Sequence, residues 1–387
     1  MKQQNYFLSQ PHQPFFILGI INAILMMLIF ALEHKGILSL ELDMITLHVY
    51  SLSFLLFCNV FTGFLFTTFP RFNQTGVIEQ TYYTNIFYAN TIGSILFILG
   101  NFISFYLVLF AMILLFISQV MIVKKLHTIY KAGLSPDKSD SFWILTANYF
   151  GLAGHALFIS SLFIPQLLNL AISISFYLYL VFLAFSVGQR MIPFFSHSFA
   201  QKDINFVKVV FSLFVAKVIF STFDIKILEI MTDIALSGYM LREFLKWELH
   251  PFKSPSILWV LHLALFWLPT AFAISAITLI GELFLDVSFY FLNIHLLALG
   301  FLTTVLIGFG TRVTLGHSGQ APNGDAIDTK IFYFIQIIVL LRTLYSLNIA
   351  LEWNMEFLFD ISFSAWLILF LTWGGRYAKT LIFRKQG

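Results

Sequence analysis

The sequence predicts an all-α protein, a polytopic membrane helical bundle of about twelve transmembrane helices. Three observations carry that reading. Of the 387 residues, 59% are hydrophobic and 11% charged, where a soluble domain carries about 25% charged residues, and the mean hydropathy is +0.87. The apolar residues gather in twelve runs, near 15–32, 46–69, 83–99, 102–123, 142–163, 165–187, 205–222, 225–241, 256–280, 287–311, 331–350 and 358–374, and a helix needs about 20 such residues to cross the hydrocarbon core. Lysine and arginine, finally, cluster in alternate connections.

Taken in order, the first run lacks a small-residue cleavage site and is read as a retained span. The second opens at His48 and closes on Gly63-Phe64-Leu65-Phe66-Thr67-Thr68, which echoes Gly300-Phe301-Leu302-Thr303-Thr304 of the tenth. The likeness pairs run two with run ten rather than eight, so it is read as shared local packing and not as a duplication. The fifth run holds Asn148 and His155. The third, seventh and eighth are the weakest; the eighth contains Glu229 and Asp233 and is expected to lie partly in the interface or to line a cavity. Pro269 interrupts the ninth, and Arg342 sits deep in the eleventh, where Asp233 is a possible carboxylate partner. Lys217, in the seventh, can snorkel to the surface.

The longest connections run to about 15 residues, so residues 1–387 are expected to form a single integral membrane domain with no separate soluble domain. The net charge of +3 leaves no footprint for nucleic acid, because the basic residues sit in short connections. The surrounding partner is membrane lipid. One cysteine, Cys58, excludes a disulfide framework.

Polar residues inside a span are costly and mark function or a partner. The stretch Phe291–Gly319 concentrates them: His295 lies inside the apolar run, Arg312 at its exit and His317 beyond. Gly300, Thr304 and Gly308 recur every four residues and form one face open to close approach of a backbone or a flat ligand. At about 100° per residue His295 points roughly 140° away from that face. His48 and Asn59, eleven residues apart, fall about 20° apart around an α-helix. His155 shares a face with Asn148, and His262 lies in the ninth run. A single membrane histidine is as often an interhelical hydrogen-bonding group as a ligand. Four in separate spans favour ligation, since imidazole is a common haem and copper ligand. His34, His127, His197 and His250 sit in connections or at helix ends. By depth, His48, His155 and His295 fall in the outer half, and His12, His262 and His317 toward the cytoplasmic side with Arg190 and Arg312. Those arginines match the geometry of haem propionates. No Cys-x-x-Cys-His attachment motif occurs, so a haem would be held non-covalently.

These motifs resemble the NnrS family of bacterial inner-membrane proteins over nearly the whole chain. His12-Gln13-Pro14-Phe15-Phe16 is similar to its His-x-Pro-Phe-Phe start of the first span. Leu47-His48 through Gly63-Phe64-Leu65 to Phe69-Pro70 is similar to its Trp-His-Ala-His-Glu-Met segment ending in Gly-Phe-Leu and Pro. Gly188-Gln189-Arg190-Met191-Ile192-Pro193 resembles its Gly-Arg-x-Ile-Pro turn, and Leu258-Trp259-Val260-Leu261-His262-Leu263 its Trp-Val-Leu-His-Leu motif. The most specific string is Thr311-Arg312-Val313-Thr314-Leu315-Gly316-His317-Ser318-Gly319, preceded by His295. One departure stands out: the family's second histidine and following glutamate are Tyr50 and Ser51 here. The resemblance implies haem b, with copper as a second metal, and a role in nitric oxide metabolism or protection against nitrosative stress, nitric oxide being the gaseous ligand. His48, His262 and His295, then His155, are the expected metal ligands; Arg190, Arg312, His12 and His317 are expected to converge around the cofactor. No reaction is assignable, and oligomeric state is not legible. A secondary transporter of a small solute without a redox metal is the alternative, since twelve spans and a Pro-broken helix suit that class.

The basic connections 124–140 and 242–254 and the tail alternate with acidic ones carrying Glu33, Glu41 and Asp43, then Glu282 and Asp286, then Glu352, Glu356 and Asp360. Both termini are therefore expected in the cytoplasm. Reporter fusions at Pro136 and at Lys385 should both give cytoplasmic signals; a periplasmic signal at either means a miscounted span.

Overall fold

The computed structural model describes residues 6–285 and 287–383. Among these the chain forms twelve long helices and no strand: α1 (His12–His34), α2 (Met44–Phe72), α3 (Gln80–Ile103), α4 (Phe105–Ala132), α5 (Ser139–Ser161), α6 (Pro165–Phe195), α7 (Phe206–Thr222), α8 (Lys226–Lys246), α9 (Ser256–Leu285), α10 (Leu292–His317), α11 (Ala326–Ala350) and α12 (Phe357–Phe383). Ten are long and apolar enough to cross a membrane. The other two are α7, with 17 residues, and α8, which carries Glu229, Asp233 and Glu243 among its buried residues. Each helix matches one of the twelve apolar runs, and the chain is a multi-pass membrane protein. It divides into two compact units, one of Met1–Leu180 with Phe370–Gly387, the other of Val181–Leu369.

Local chemistry explains the helix starts. Gln13 Oε1 accepts from Gln10 N at 2.9 Å and from Ser9 Oγ at 3.1 Å, and Pro14 sits in the first turn of α1, where a missing N–H costs nothing. Asp43 caps α2 through Ile45 N and Thr46 N. Ser104 caps α4, and Asp325 with Asp328 forms a reciprocal capping box on α11.

In the first unit, α3 and α4 make a tight hairpin. A Cβ on Gly100 would lie 2.7 Å from Val108 N, so only glycine lets the two backbones meet. Gly154 of α5 lies against Ser175 of α6, and Gly151 against the Tyr179 ring. Outward faces of the hairpin expose Ile92, Ile95, Leu99, Phe102, Phe110 and Ile117, as expected where the solvent is lipid. Polar residues are paired inward. Asn22 Nδ2 donates to Leu55 O and Ser94 Oγ; Asn90 Nδ2 donates to Asn59 Oδ1, and Ser118 Oγ to Asn90 Oδ1. Such interhelical bonds contribute about 0.6–2 kcal/mol each in membranes.

In the second unit, the Gly300/Gly308 stripe faces another helix. Cβ atoms there would come within 2.6 Å of Trp267 and 2.7 Å of Leu261, both on α9. Lys217 does not snorkel: it is fully buried and pairs with Asp233 and Glu229 at 2.7 and 2.8 Å. Asp233 is therefore engaged by α7 and not by Arg342. Arg342 donates to Ser346 Oγ at 2.6 Å and to Tyr290 O at 3.4 Å, and lies over Tyr345.

Three helices contain a π-helical segment: Ser51–Phe57 in α2, Ile174–Val181 in α6 and Leu296–Thr303 in α10. The i→i+5 bonding widens the turn, so residues on either side lose the phase of an unbroken α-helix. His48 and Asn59 flank one such segment. Contrary to the α-helical phase, they part: His48 is half-buried against Phe30 at 4.2 Å, while Asn59 is fully buried and bonded to Asn90.

Gly100→Ala should lower stability by about 1–3 kcal/mol, because Val108 backbone cannot yield. Gly375→Ala, with open space around it, should be neutral or stabilising by up to about 1 kcal/mol. Thermal unfolding of both variants in one detergent checks the contrast; equal midpoints would mean the hairpin is not tightly packed.

Candidate functional site

In the second unit, two of the sequence-selected residues, His262 and Arg312, meet adjacent residues at the C-terminal end of α6. This helix carries Arg190, half-buried, and ends on Pro193-Phe194-Phe195 with Ser196 as its C-cap. Proline in the last turn and a left-handed His197 (φ 51°) stop the helix. Ser196 Oγ lies 2.6 Å from His262 Nε2 of α9 and 2.8 Å from Ile192 O. The Arg312 guanidinium of α10 lies over the adjacent Phe195 ring, 3.9 Å from its centroid. Arg190 is five residues before Phe195, about 7.5 Å along the helix axis at 1.5 Å per residue.

Two features of this end are chemically unfinished. His262 is 2% exposed. The His250 backbone is close to its ring, but Nδ1 makes no hydrogen bond of ordinary geometry. A buried polar atom left so costs about 1–3 kcal/mol. Arg312 is half-buried, and among the described residues its guanidinium has a ring contact but no carboxylate partner. A half-buried cation and a buried imidazole that meet neighbouring residues of α6 are suited to an anionic, metal-bearing ligand.

The first unit holds a different arrangement, between α2, α4, α5 and α6. Tyr50 is fully buried and His155 is 1% exposed. Tyr50 Oη is 2.8 Å from His155 Nε2, and Gln119 Oε1 is 2.7 Å from His155 Nδ1. A carbonyl oxygen only accepts, so Nδ1 carries the proton and Nε2 accepts from the phenol. Phe54, in the π segment of α2, stacks on the imidazole at 4.1 Å. As placed, His155 has no ring nitrogen left for a metal. Its partners are Tyr50 and Gln119, while Asn148, on the same buried face, bonds to Ile144 O. Tyr50 thus acts as a hydrogen-bonding residue where the resembling family has its second histidine.

The remaining residues are described within their own units. His48 packs on Phe30 in the first unit. His12 is buried in the first turn of α1, edge-on to Phe16 at 5.8 Å. His295 is half-buried, with Nδ1 2.9 Å from Phe291 O, and His317 Nδ1 is 3.0 Å from Val313 O. Among the described residues no three His, Cys, Asp or Glu side chains come together as a metal-binding group.

Sequence reading missed Ser196 and Phe195, which bring α9 and α10 to the end of α6, and Gln119, which fixes the His155 tautomer. Ser196 had a readable signal, three residues past the proline that ends α6. Gln119 had none, being one polar residue in a long apolar run.

No curated protein matches the chain significantly. A match to the family described as NnrS protein covers residues 6–385, which takes in the α6 end, the His262 motif and the Arg312–His317 string together. The chain belongs to the NnrS protein family.

Proposed function

We propose that this protein is a bacterial inner-membrane haem protein that acts in nitric oxide metabolism or in protection against nitrosative stress. One observation carries the haem reading: at the end of α6 stand Arg312, which among the described residues has no carboxylate partner, and His262, whose buried Nδ1 has only the His250 backbone nearby and no hydrogen bond of ordinary geometry. These residues fit a non-covalent haem b. His262 would hold the iron through its imidazole, and Arg312, with Arg190 as the second candidate, would hold the propionates through charge-assisted hydrogen bonds. A haem held there would supply an iron able to bind a diatomic gas. Ser196 holds the imidazole ring and limits its rotation. The nitric oxide role rests on the family resemblance.

Copper fits less well. It needs several imidazole or sulfur donors, and no three-donor group occurs among the described residues; Cys58 is buried in α2. Copper is not part of the proposal. Secondary transport keeps one supporting observation, the buried ion cluster on α7 and α8.

Purified protein should show a Soret band and, on reduction, the α and β bands of a b-type haem. His262→Ala should lose most of the haem, with helix content unchanged by circular dichroism. Arg312→Gln removes a charge-assisted pairing of about 1.5–3 kcal/mol, so haem affinity should fall about 10–100-fold. His155→Ala should keep the haem. A colourless wild-type preparation, even after haem addition, supports the transporter instead.

A further inference from the structure

The second unit contains a polar cluster that the haem reading does not use. Lys217 of α7 and Asp233 of α8 are fully buried, and Glu229, one turn before Asp233, is 6% exposed. Lys217 Nζ lies 2.7 Å from Asp233 Oδ2 and 2.8 Å from Glu229 Oε1. Ser275 Oγ of α9 donates to Asp233 Oδ2 at 2.7 Å, and Asn293 Nδ2 of α10 donates to Ser275 Oγ at 3.3 Å. Asp233 Oδ1 is buried and, among the described residues, has no hydrogen-bond partner.

Charge counting decides what this cluster binds. One ammonium faces two carboxylates, so the fully ionised cluster carries one net negative charge. An uncompensated buried charge costs several kcal/mol, and inside an apolar bundle ionisable residues mark ion or proton routes. The missing positive charge is either a metal cation or a proton. Lys217 Nζ already occupies the point between the two carboxylates, where a monovalent metal ion would sit, and Ser275 Oγ also donates to Asp233 Oδ2. The open position is a single carboxylate oxygen, Asp233 Oδ1, which suits a proton.

We propose that Lys217, Glu229 and Asp233 form a proton-binding site that takes up and releases one proton, independently of whether the protein carries haem. The Glu229 side chain keeps 8% exposure while those of Lys217 and Asp233 have none, so Glu229 is the exchanging end, in the first turn of α8. A proton arriving on the Glu229 carboxylate reaches Asp233 through the ammonium: Nζ gives one hydrogen to Asp233 Oδ2, the oxygen it bonds, and takes one from Glu229, and a turn of the Asp233 carboxyl group carries that hydrogen to the open side now held by Oδ1. Lys217 is a cation before and after, and the net change is one proton moved between carboxylates. Ser275 and Asn293 are neutral and orient Asp233.

Infrared difference spectroscopy of the full chain in lipid nanodiscs, stepped from acid to alkaline buffer, tests this. The wild type should show a protonated-carboxyl C=O band at neutral pH that falls as pH rises. Asp233→Asn and Glu229→Gln should each abolish it, since the remaining carboxylate is balanced by Lys217. Lys217→Gln should double it, since two carboxyls then lack a cation. If the Asp233 variant does not fold, the more exposed Glu229→Gln and the wild-type titration still decide. The absence of a pH-responsive band in the wild type, a band that survives both carboxylate variants, or a band controlled by sodium and not by pH overturns the site.

Discussion

The structure depends on one constraint: a chain in lipid must satisfy its polar groups from within. Water in the hydrocarbon region is absent, and each unpaired backbone group there costs several kcal/mol. Helices answer the backbone part of that demand. The side chains answer it by pairing across helices, as Asn59 with Asn90, His155 with Tyr50 and Gln119, and Lys217 with Asp233 and Glu229. Close glycine contacts serve the same end. In the absence of a hydrophobic force between helices, association relies on packing and hydrogen bonds, and Gly100, Gly154, Gly300 and Gly308 all stand where a side chain would keep neighbours apart.

Under that constraint, the polar atoms that remain unpaired become informative. His155 and His262 look alike in sequence, each a histidine in an apolar run. Their surroundings separate them. Both nitrogens of His155 are occupied by protein groups, so the energy of burying it is already offset. His262 has one nitrogen held by Ser196 and one without a proper partner. Arg312 and Asp233 Oδ1 are unfinished in the same sense, one favouring an anion and the other a proton.

The π segments show why periodicity alone misplaces some residues. They lie in α2, α6 and α10, and Phe54, which stacks on His155, and Tyr179, which lies against Gly151, come from two of them. An angle computed at about 100° per residue fails across such a segment. That is how His48 and Asn59, in phase on paper, come to face different surroundings, and it changes the phase between His295 and the Gly308 end of the stripe. π segments recur at functional sites, because the wider turn re-aims side chains.

The sequence by itself determined the number, order and approximate ends of the twelve helices, because hydropathy measures the same transfer to lipid that holds them there. It also determined the family, through short strings such as Thr311–Gly319, and marked Tyr50 as a departure from the family's second histidine. Tertiary structure decided the partners. That Lys217 is buried rather than snorkelling, that Asp233 belongs to α7 and not to Arg342, and that Arg312 and His262 meet adjacent residues of α6 all depend on which helices touch. Hydropathy cannot carry that information, since every apolar face is equally content against lipid or against another helix. Only close packing and the pairing of a few buried polar atoms distinguish the neighbours.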